Sequence, residues 1–165
     1  LMATHALWNL LQQLKSDYEW VELSHRLNND SPYWSGMPEG SVEIGKTVFD
    51  WGNPMLECLI QTFKFPGQFG THIDFPGHFA KGTALSDGFG VQHMAYPFDT
   101  DASAVAAEAG DLICERYVLS QGHVQIELLD NLDKVAPAGA ILLAAWPNIE
   151  GATGLPVRVV AVTPK

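Results

Sequence analysis

The spacing of hydrophobic residues changes several times along the chain, and each change predicts a different element. Near the start, Leu7, Leu10, Leu11 and Leu14 recur at three- and four-residue intervals, which predicts an amphipathic first helix. This helix would either cover the core or contact a partner subunit. The next segment, 18–23, alternates apolar and polar residues and therefore predicts a strand.

The middle of the chain carries the pattern of a β-hairpin. Residues 41–49 and 55–64 predict two strands, and the turn-forming residues 50–54 join them. The later elements predicted from the sequence are a helix over 102–108 that 116–119 could continue, a segment over 125–132, and buried strands over 140–146 and 157–162.

These elements predict a single α/β domain over residues 1–165, with a mixed, largely antiparallel β core and flanking helices. The chain has 165 residues, 47% of them hydrophobic, which is enough for one sizeable core.

The densest group of candidate ligands lies in residues 70–79, between glycines and a proline. If this stretch is extended, His72 and Asp74 point to the same face. An imidazole nitrogen and a carboxylate oxygen suit a borderline divalent ion such as zinc, manganese or iron. Few protein ligands leave room for a water molecule, and a bound cation can lower the pKa of that water to about 7. The sequence therefore predicts a metal site that activates water.

Two nearby side chains could contribute to this site. Gln68 has the same strand parity as His72 and could supply an amide oxygen. His78 follows the turn at 76–77 and is either a further ligand or the group that moves protons. The alternative for His72 and Asp74 is a buried histidine hydrogen-bonded to a carboxylate, with no metal. Clustering of such residues between glycine and proline favours the metal.

The string Gly-Thr-His-x-Asp-x-Pro-x-His-Phe at 70–79 resembles the motif of the cyclase family of metal-dependent hydrolases. This family includes bacterial kynurenine formamidase and isatin hydrolase. Other segments match the family in the same order: 22–25 with the Pro-aromatic loop 32–36, then 126–132, then 154–162. The resemblance implies a swivelling β/β/α arrangement.

The resemblance also implies an activity and its residues. The metal ligands would be His72, Asp74 and Glu127, together with Gln68, and His78 would pass a proton to the leaving nitrogen. The implied reaction is hydrolysis of a carbon-nitrogen amide bond in a small cyclic or N-acyl aromatic substrate, of the arylformamidase or isatin hydrolase type. The implied cofactor is a divalent metal, Zn or Mn. Family members are commonly dimeric, so the resemblance implies a homodimer or a higher homo-oligomer.

Two positions depart from the formamidase pattern. Gln68 stands where the formamidases have a histidine ligand, four positions before His72, so we expect one ion rather than two. Glu115 stands where they have another ligand histidine, twelve positions before Glu127. Glu115 could substitute as a ligand, or it could be a surface residue on a helix.

A third departure concerns the middle of the chain. Family members have additional strands and helices between the parts that match 95–97 and 98–101, and this sequence has none. We therefore predict a missing segment between Pro97 and Phe98, either a disordered stretch left out of the sequence or a natural or engineered deletion.

Charge and composition narrow the function classes. The formal net charge of −10 argues against nucleic acid and anionic membrane surfaces as partners, because both would repel the protein. No apolar run approaches the roughly 20 residues needed to span a bilayer, and the start lacks a secretory pattern. Cys58 and Cys114 have no metal-binding spacing and are expected to be reduced thiols. We therefore expect a cytoplasmic protein that acts on a small-molecule amide.

Two other function classes stay open at this point. The first is a metal- or small-ligand-binding protein of the same fold without turnover, which the glutamine at position 68 supports. The second is a cupin-like β-barrel, although cupins carry His-x-His rather than His-x-Asp. The aromatic loop with Tyr33 and Trp34 would form either a lid over an aromatic substrate or part of the core.

Overall fold

The structure is a computed structural model and describes residues 5–55, 57–99 and 112–165. Its elements in chain order are α1 (Ala6–Asp17), β1 (Tyr18–Glu22), β2 (Glu43–Phe49), β3 (Ile60–Lys64), β4 (His72–Asp74), β5 (Ala95–Asp99), α2 (Ile113–Ser120), β6 (Gln125–Glu127), β7 (Ala138–Ala145), β8 (Gly154–Pro156) and β9 (Arg158–Pro164).

The larger sheet contains four strands in the order β1-β9-β7-β5, and every pair is antiparallel. Alternate residues of β7, namely Ala140, Leu142 and Ala144, are buried, as expected for a strand with one face on the core. Val159 and Ala161 of β9 belong to the same core. One face of this sheet therefore forms a wall of the hydrophobic core.

A second sheet, of three strands, places β4 between β6 and β8, again with antiparallel pairing. Strand alternation directs Ile73, and Phe75 just beyond the strand, into the hydrophobic core. His72 and Asp74 point to the opposite face and are also buried. A central strand paired on both sides thus holds two of the candidate ligands.

Strands β2 and β3 form a separate hairpin, close to the two strands predicted at 41–49 and 55–64. Every residue of β3 is exposed. The chain runs from β3 through residues 65–67 directly into Gln68, so the hairpin lies next to the candidate ligands in sequence.

The predicted fold class is confirmed: a β core with flanking helices, in which every strand pair among the described residues is antiparallel. The predicted helix over 102–108 lies outside the described residues, and the predicted helical segment 116–119 falls within α2. Pro97 and Phe98 both lie in β5, opposite Ile141 and Ala140. The missing segment between Pro97 and Phe98 stays a prediction.

Within the described ranges, no helix is both long enough and apolar enough to cross a bilayer. The aromatic loop lies close to the candidate site, because Tyr33 forms a bridge with Phe69 and their ring centroids are 5.8 Å apart. Trp34 is exposed. The role of this loop as a substrate lid stays a prediction.

Helix α1 carries an apolar stripe, and none of its residues is buried within the chain. Leu7 and Leu10 are 79% and 51% exposed. Its C-terminal end is tied to β1, because Trp20 Nε1 donates to Leu14 O at 3.1 Å. The helix does not cover the core in one chain, so the second sequence-based role, contact with a partner subunit, becomes the expected one.

We expect the protein to be a homodimer in which α1 contributes to the interface. A carboxylate placed in an apolar interface costs about 3 kcal/mol or more, so the dissociation constant of a Leu10→Glu variant should rise about 100-fold. Sedimentation velocity at several concentrations measures this change. Asn9→Glu, which adds the same charge on the opposite face of α1, is the matched control. A wild-type protein that stays monomeric at every concentration would contradict the prediction.

Candidate metal centre

His72 is held in one orientation by its own backbone neighbourhood. Its Nδ1 lies 2.8 Å from Gly70 O, and because a carbonyl can only accept, Nδ1 must carry a proton. Gly70 has a φ of 60°, a left-handed conformation that glycine adopts without strain. The other nitrogen, Nε2, therefore faces the cluster, 3.4 Å from Asp74 Oδ2. This arrangement is typical of histidines that bind metal through Nε2.

Glu127 reaches the same point from the neighbouring strand. It lies directly opposite His72 in the β4–β6 ladder, and its Oε2 lies 3.5 Å from His72 Nε2. Gln125 Nε2 donates to Glu127 Oε1 at 2.7 Å, which leaves Oε2 directed at the imidazole. One imidazole and two carboxylates thus converge: candidate ligand atoms of His72, Asp74 and Glu127 all lie within 4.8 Å of one another.

The carboxylate of Asp74 is the least satisfied group in the site. Its side chain is fully buried, and Gln68 Nε2 donates to Oδ1 at 2.9 Å. The second oxygen, Oδ2, is buried with no hydrogen-bond partner among the described residues. A buried carboxylate oxygen without a donor is costly. A divalent cation between Oδ2, His72 and Glu127 would satisfy it, so the residues present fit a metal.

A glycine makes room for this arrangement. Gly154 lies opposite Asp74 in the β4–β8 ladder. A Cβ atom at position 154 would collide with Asp74 Oδ1 and Gln68 Nε2. Because the neighbouring strand has no side chain there, Gln68 can reach over it to Asp74.

His78 and Glu115 form a second group that shares Asp74. The short 3₁₀ turn Pro76–His78 packs against α2, which carries Glu115, and His78 Nε2 lies 3.6 Å from Glu115 Oε1. Glu115 is buried, whereas His78 is partly exposed. Candidate ligand atoms of Asp74, His78 and Glu115 also lie within 4.8 Å of one another. The two groups are therefore adjacent parts of one site.

The charges in the site perturb two pKa values. Burial lowers the pKa of His72, but the nearby carboxylates of Asp74 and Glu127 outweigh burial and raise that pKa to about 10. Burial raises the pKa of Glu115 to about 7, and the negative charges of Glu127 and Asp74 act in the same direction against the opposing effect of His72 and Arg116. Burial is the largest cause of the Glu115 shift, and neighbouring carboxylates contribute to raising the pKa of both groups.

The structure brings together all of the sequence-predicted site residues, and their roles as ligands or catalyst stay predictions. Gln68 contacts the site through its hydrogen bond to Asp74. Glu115 is on a helix, as one of the two sequence alternatives had it, but it is buried rather than on the surface. Only its alignment with a ligand histidine of the formamidases pointed to it. Gln125, which orients Glu127, had no signal in the sequence.

The family model named Cyclase, described as "Putative cyclase", matches residues 21–144 of this chain. The chain therefore belongs to the cyclase family, and this match excludes the cupin-like β-barrel. Among curated proteins, no sequence matches the chain.

Solved structures share its fold. Isatin hydrolase A from Labrenzia aggregata, bound to benzyl benzoate, superposes with a TM-score of 0.76 at 18% identity, over 97% of this chain and 100% of that one. An isatin hydrolase bound to the product analogue thioisatinate gives 0.74 at 20% identity, over 100% of both chains. A predicted metal-dependent hydrolase from Bacillus stearothermophilus gives 0.60 at 16% identity, over 88% of this chain and 98% of that one. The fold is therefore that of a metal-dependent hydrolase similar to isatin hydrolase.

We expect metal binding to release a proton near neutral pH. The pKa of His72 is about 10 without metal, so Zn²⁺ must displace a proton from Nε2 and its apparent affinity should fall about tenfold per pH unit below 10. Competition with a chelator at pH 6.5, 7.5 and 8.5, and calorimetry in two buffers of different ionisation enthalpy, measure the two effects. His72→Ala should abolish both, and the exposed His123→Ala should preserve them. Affinity that is constant across this range would contradict the prediction.

Proposed function

We propose that this protein is a metal-dependent hydrolase that cleaves a carbon-nitrogen amide bond in a small cyclic or N-acyl aromatic substrate. The observation that carries the proposal is the convergence of His72 Nε2, Glu127 Oε2 and Asp74 Oδ2, a buried oxygen without a hydrogen-bond donor among the described residues. Membership of the cyclase family supports it. So does the shared fold with an isatin hydrolase that was solved with a product analogue.

Residues of this chain would bind the metal and orient its ligands. His72, Asp74 and Glu127 would bind the metal, with Gln68 as an additional amide ligand or as the donor that holds Asp74. A bound Zn²⁺ or Mn²⁺ would make hydroxide available at neutral pH and polarise the substrate carbonyl. The hydrogen bond from His72 Nδ1 to Gly70 O keeps Nε2 available for coordination.

His78 would move the proton. Hydrolysis of an amide adds a water oxygen to the carbonyl carbon and requires a proton on the departing nitrogen. His78 is partly exposed and stands beside the Asp74 carboxylate, so its ring can meet both the site and a substrate. Glu115, 3.6 Å away on α2, would orient the His78 ring.

A binding protein of the same fold without turnover is the second candidate. The specific observation that favours it is that the amide of Gln68 is engaged with Asp74, where the formamidases have a histidine ligand. A weaker metal site would bind a small ligand through the same residues without generating enough hydroxide for catalysis.

We also propose that the protein works in the cytoplasm as a homodimer. Cys58 and Cys114 are both free thiols, which is typical of proteins in reducing compartments. The exposed leucines of α1 support the dimer.

Hydrolysis should depend on metal. The purified protein is assayed with N-formylkynurenine, isatin and related amides before chelation, after chelation, and after addition of Zn²⁺ or Mn²⁺. We expect loss of activity on chelation and recovery with one of the two ions, because the ion supplies the nucleophile. Activity that survives complete removal of metal would rule out the proposed mechanism. Metal binding without turnover of any amide would favour the binding-protein candidate.

Replacement of His78 distinguishes a proton shuttle from a ligand. In His78→Ala we expect turnover to fall by about 10² to 10⁴ while metal content stays constant, because general acid-base catalysis contributes a factor of this size. Elemental analysis and amide hydrolysis are measured on the same preparations, with His123→Ala as the control. A parallel loss of metal would assign His78 to coordination, in the group with Asp74 and Glu115. Unchanged turnover would remove His78 from the mechanism.

A further inference from the structure

The residue directly after Glu127 has an unfavourable backbone conformation. Leu128 has a φ of 55°, in the left-handed region that branched side chains rarely adopt. Its side chain is 40% exposed, so burial in the core does not hold it there. Non-glycine residues in this region persist when their surroundings fix them.

Leu128 is the corner at which the chain changes its pairing partner. Glu127 is still paired with His72 of β4. The next residues pair with the segment after β1: Leu129 forms a bridge with Ser24, and Asp130 N donates to Leu23 O at 2.9 Å. The corner therefore fixes the direction in which the chain leaves Glu127, at the last pair of the β4–β6 ladder.

The Thr71 hydroxyl holds this corner. Thr71 Oγ1 donates to Leu128 O at 2.7 Å, and it accepts from His25 N at 2.9 Å. Thr71 is 1% exposed, so water does not compete for these bonds. Both hydrogen-bonding roles of the hydroxyl are used, and together they link the β4 strand, the residue after Glu127 and the segment after β1.

We propose that Thr71 is a positioning residue for the metal site: its hydroxyl fixes the strained Leu128 backbone and thereby holds the Glu127 carboxylate against His72. The inference rests on the proposed function for the role of Glu127 as a ligand. Thr71 immediately precedes His72, the first residue of β4, and the two side chains point to opposite faces. This short segment would therefore supply the ligand His72 on one face and support the ligand Glu127 through Thr71 on the other face.

The first test is a double-mutant cycle on Zn²⁺ affinity. Thr71→Val, which removes the hydroxyl at nearly constant volume, should weaken binding by about 10- to 100-fold, the usual effect of losing a group that supports a ligand. Thr71→Ser should bind nearly as the wild type does. In a Glu127→Gln background, Thr71→Val should cause little further loss, because the ligand that Thr71 positions is already impaired. Equal losses in both backgrounds, or none in either, would overturn the proposal.

The second test uses thermal unfolding of metal-free protein and needs no metal binding. Leu128→Gly should raise the melting temperature, because glycine adopts a positive φ without strain. Thr71→Val should lower the melting temperature of the wild type by more than it lowers that of Leu128→Gly. A lower melting temperature in Leu128→Gly alone, or equal losses in the two backgrounds, would overturn the proposal even if Thr71→Val folds poorly. Absence of Zn²⁺ binding by the wild type would instead count against the proposed function, and the unfolding cycle would still judge the role of Thr71.

Discussion

The burial of the Asp74 carboxylate is the constraint on which the rest of the site depends. One of its oxygens has a donor and the other has none among the described residues. Glu127 and Glu115 add two more carboxylates close by, with His72 as the nearest cationic partner. Two of these three carboxylates, those of Asp74 and Glu115, are buried, and such an excess of negative charge is unfavourable unless a cation balances it. The neighbouring carboxylates contribute to the raised pKa of His72 and, together with the larger effect of burial, to the raised pKa of Glu115. A divalent metal would balance their charge.

Strand β4 makes this burial possible because one of its faces packs on the hydrophobic core and the other lines the site. Ile73 anchors the strand in the hydrophobic core, while His72 and Asp74 face the site. Pairing with β6 and β8 on both edges satisfies the backbone of the strand and restricts its movement. Ligands on such a strand are held more rigidly than ligands on a loop. This rigidity holds the Asp74 carboxylate in its buried position despite the cost of burying it.

Much of the fold could be predicted from the sequence, because periodicity is a local property. The apolar stripe of α1, the hairpin of β2 and β3, and strands β7 and β9 all appear where the sequence predicts them, although β3 begins only at Ile60 and β7 buries only one of its faces. The shared face of His72 and Asp74 also followed from strand alternation alone. The prediction for α1 is only partly confirmed. The sequence predicts its apolar stripe, but whether that stripe covers the core depends on long-range contacts that the sequence does not display.

The sequence by itself determined which residue types could bind a metal and which two of them share a face. Only the tertiary structure decided that Glu127 lies opposite His72, because strand register depends on the pairing of segments more than fifty residues apart. It also decided that Glu115 is buried beside His78 rather than exposed on its helix, since that depends on how α2 packs against the turn after β4. Local sequence patterns specify which side chains can bind a metal. Long-range packing specifies the distances between those side chains, and these distances decide whether they can bind one ion together.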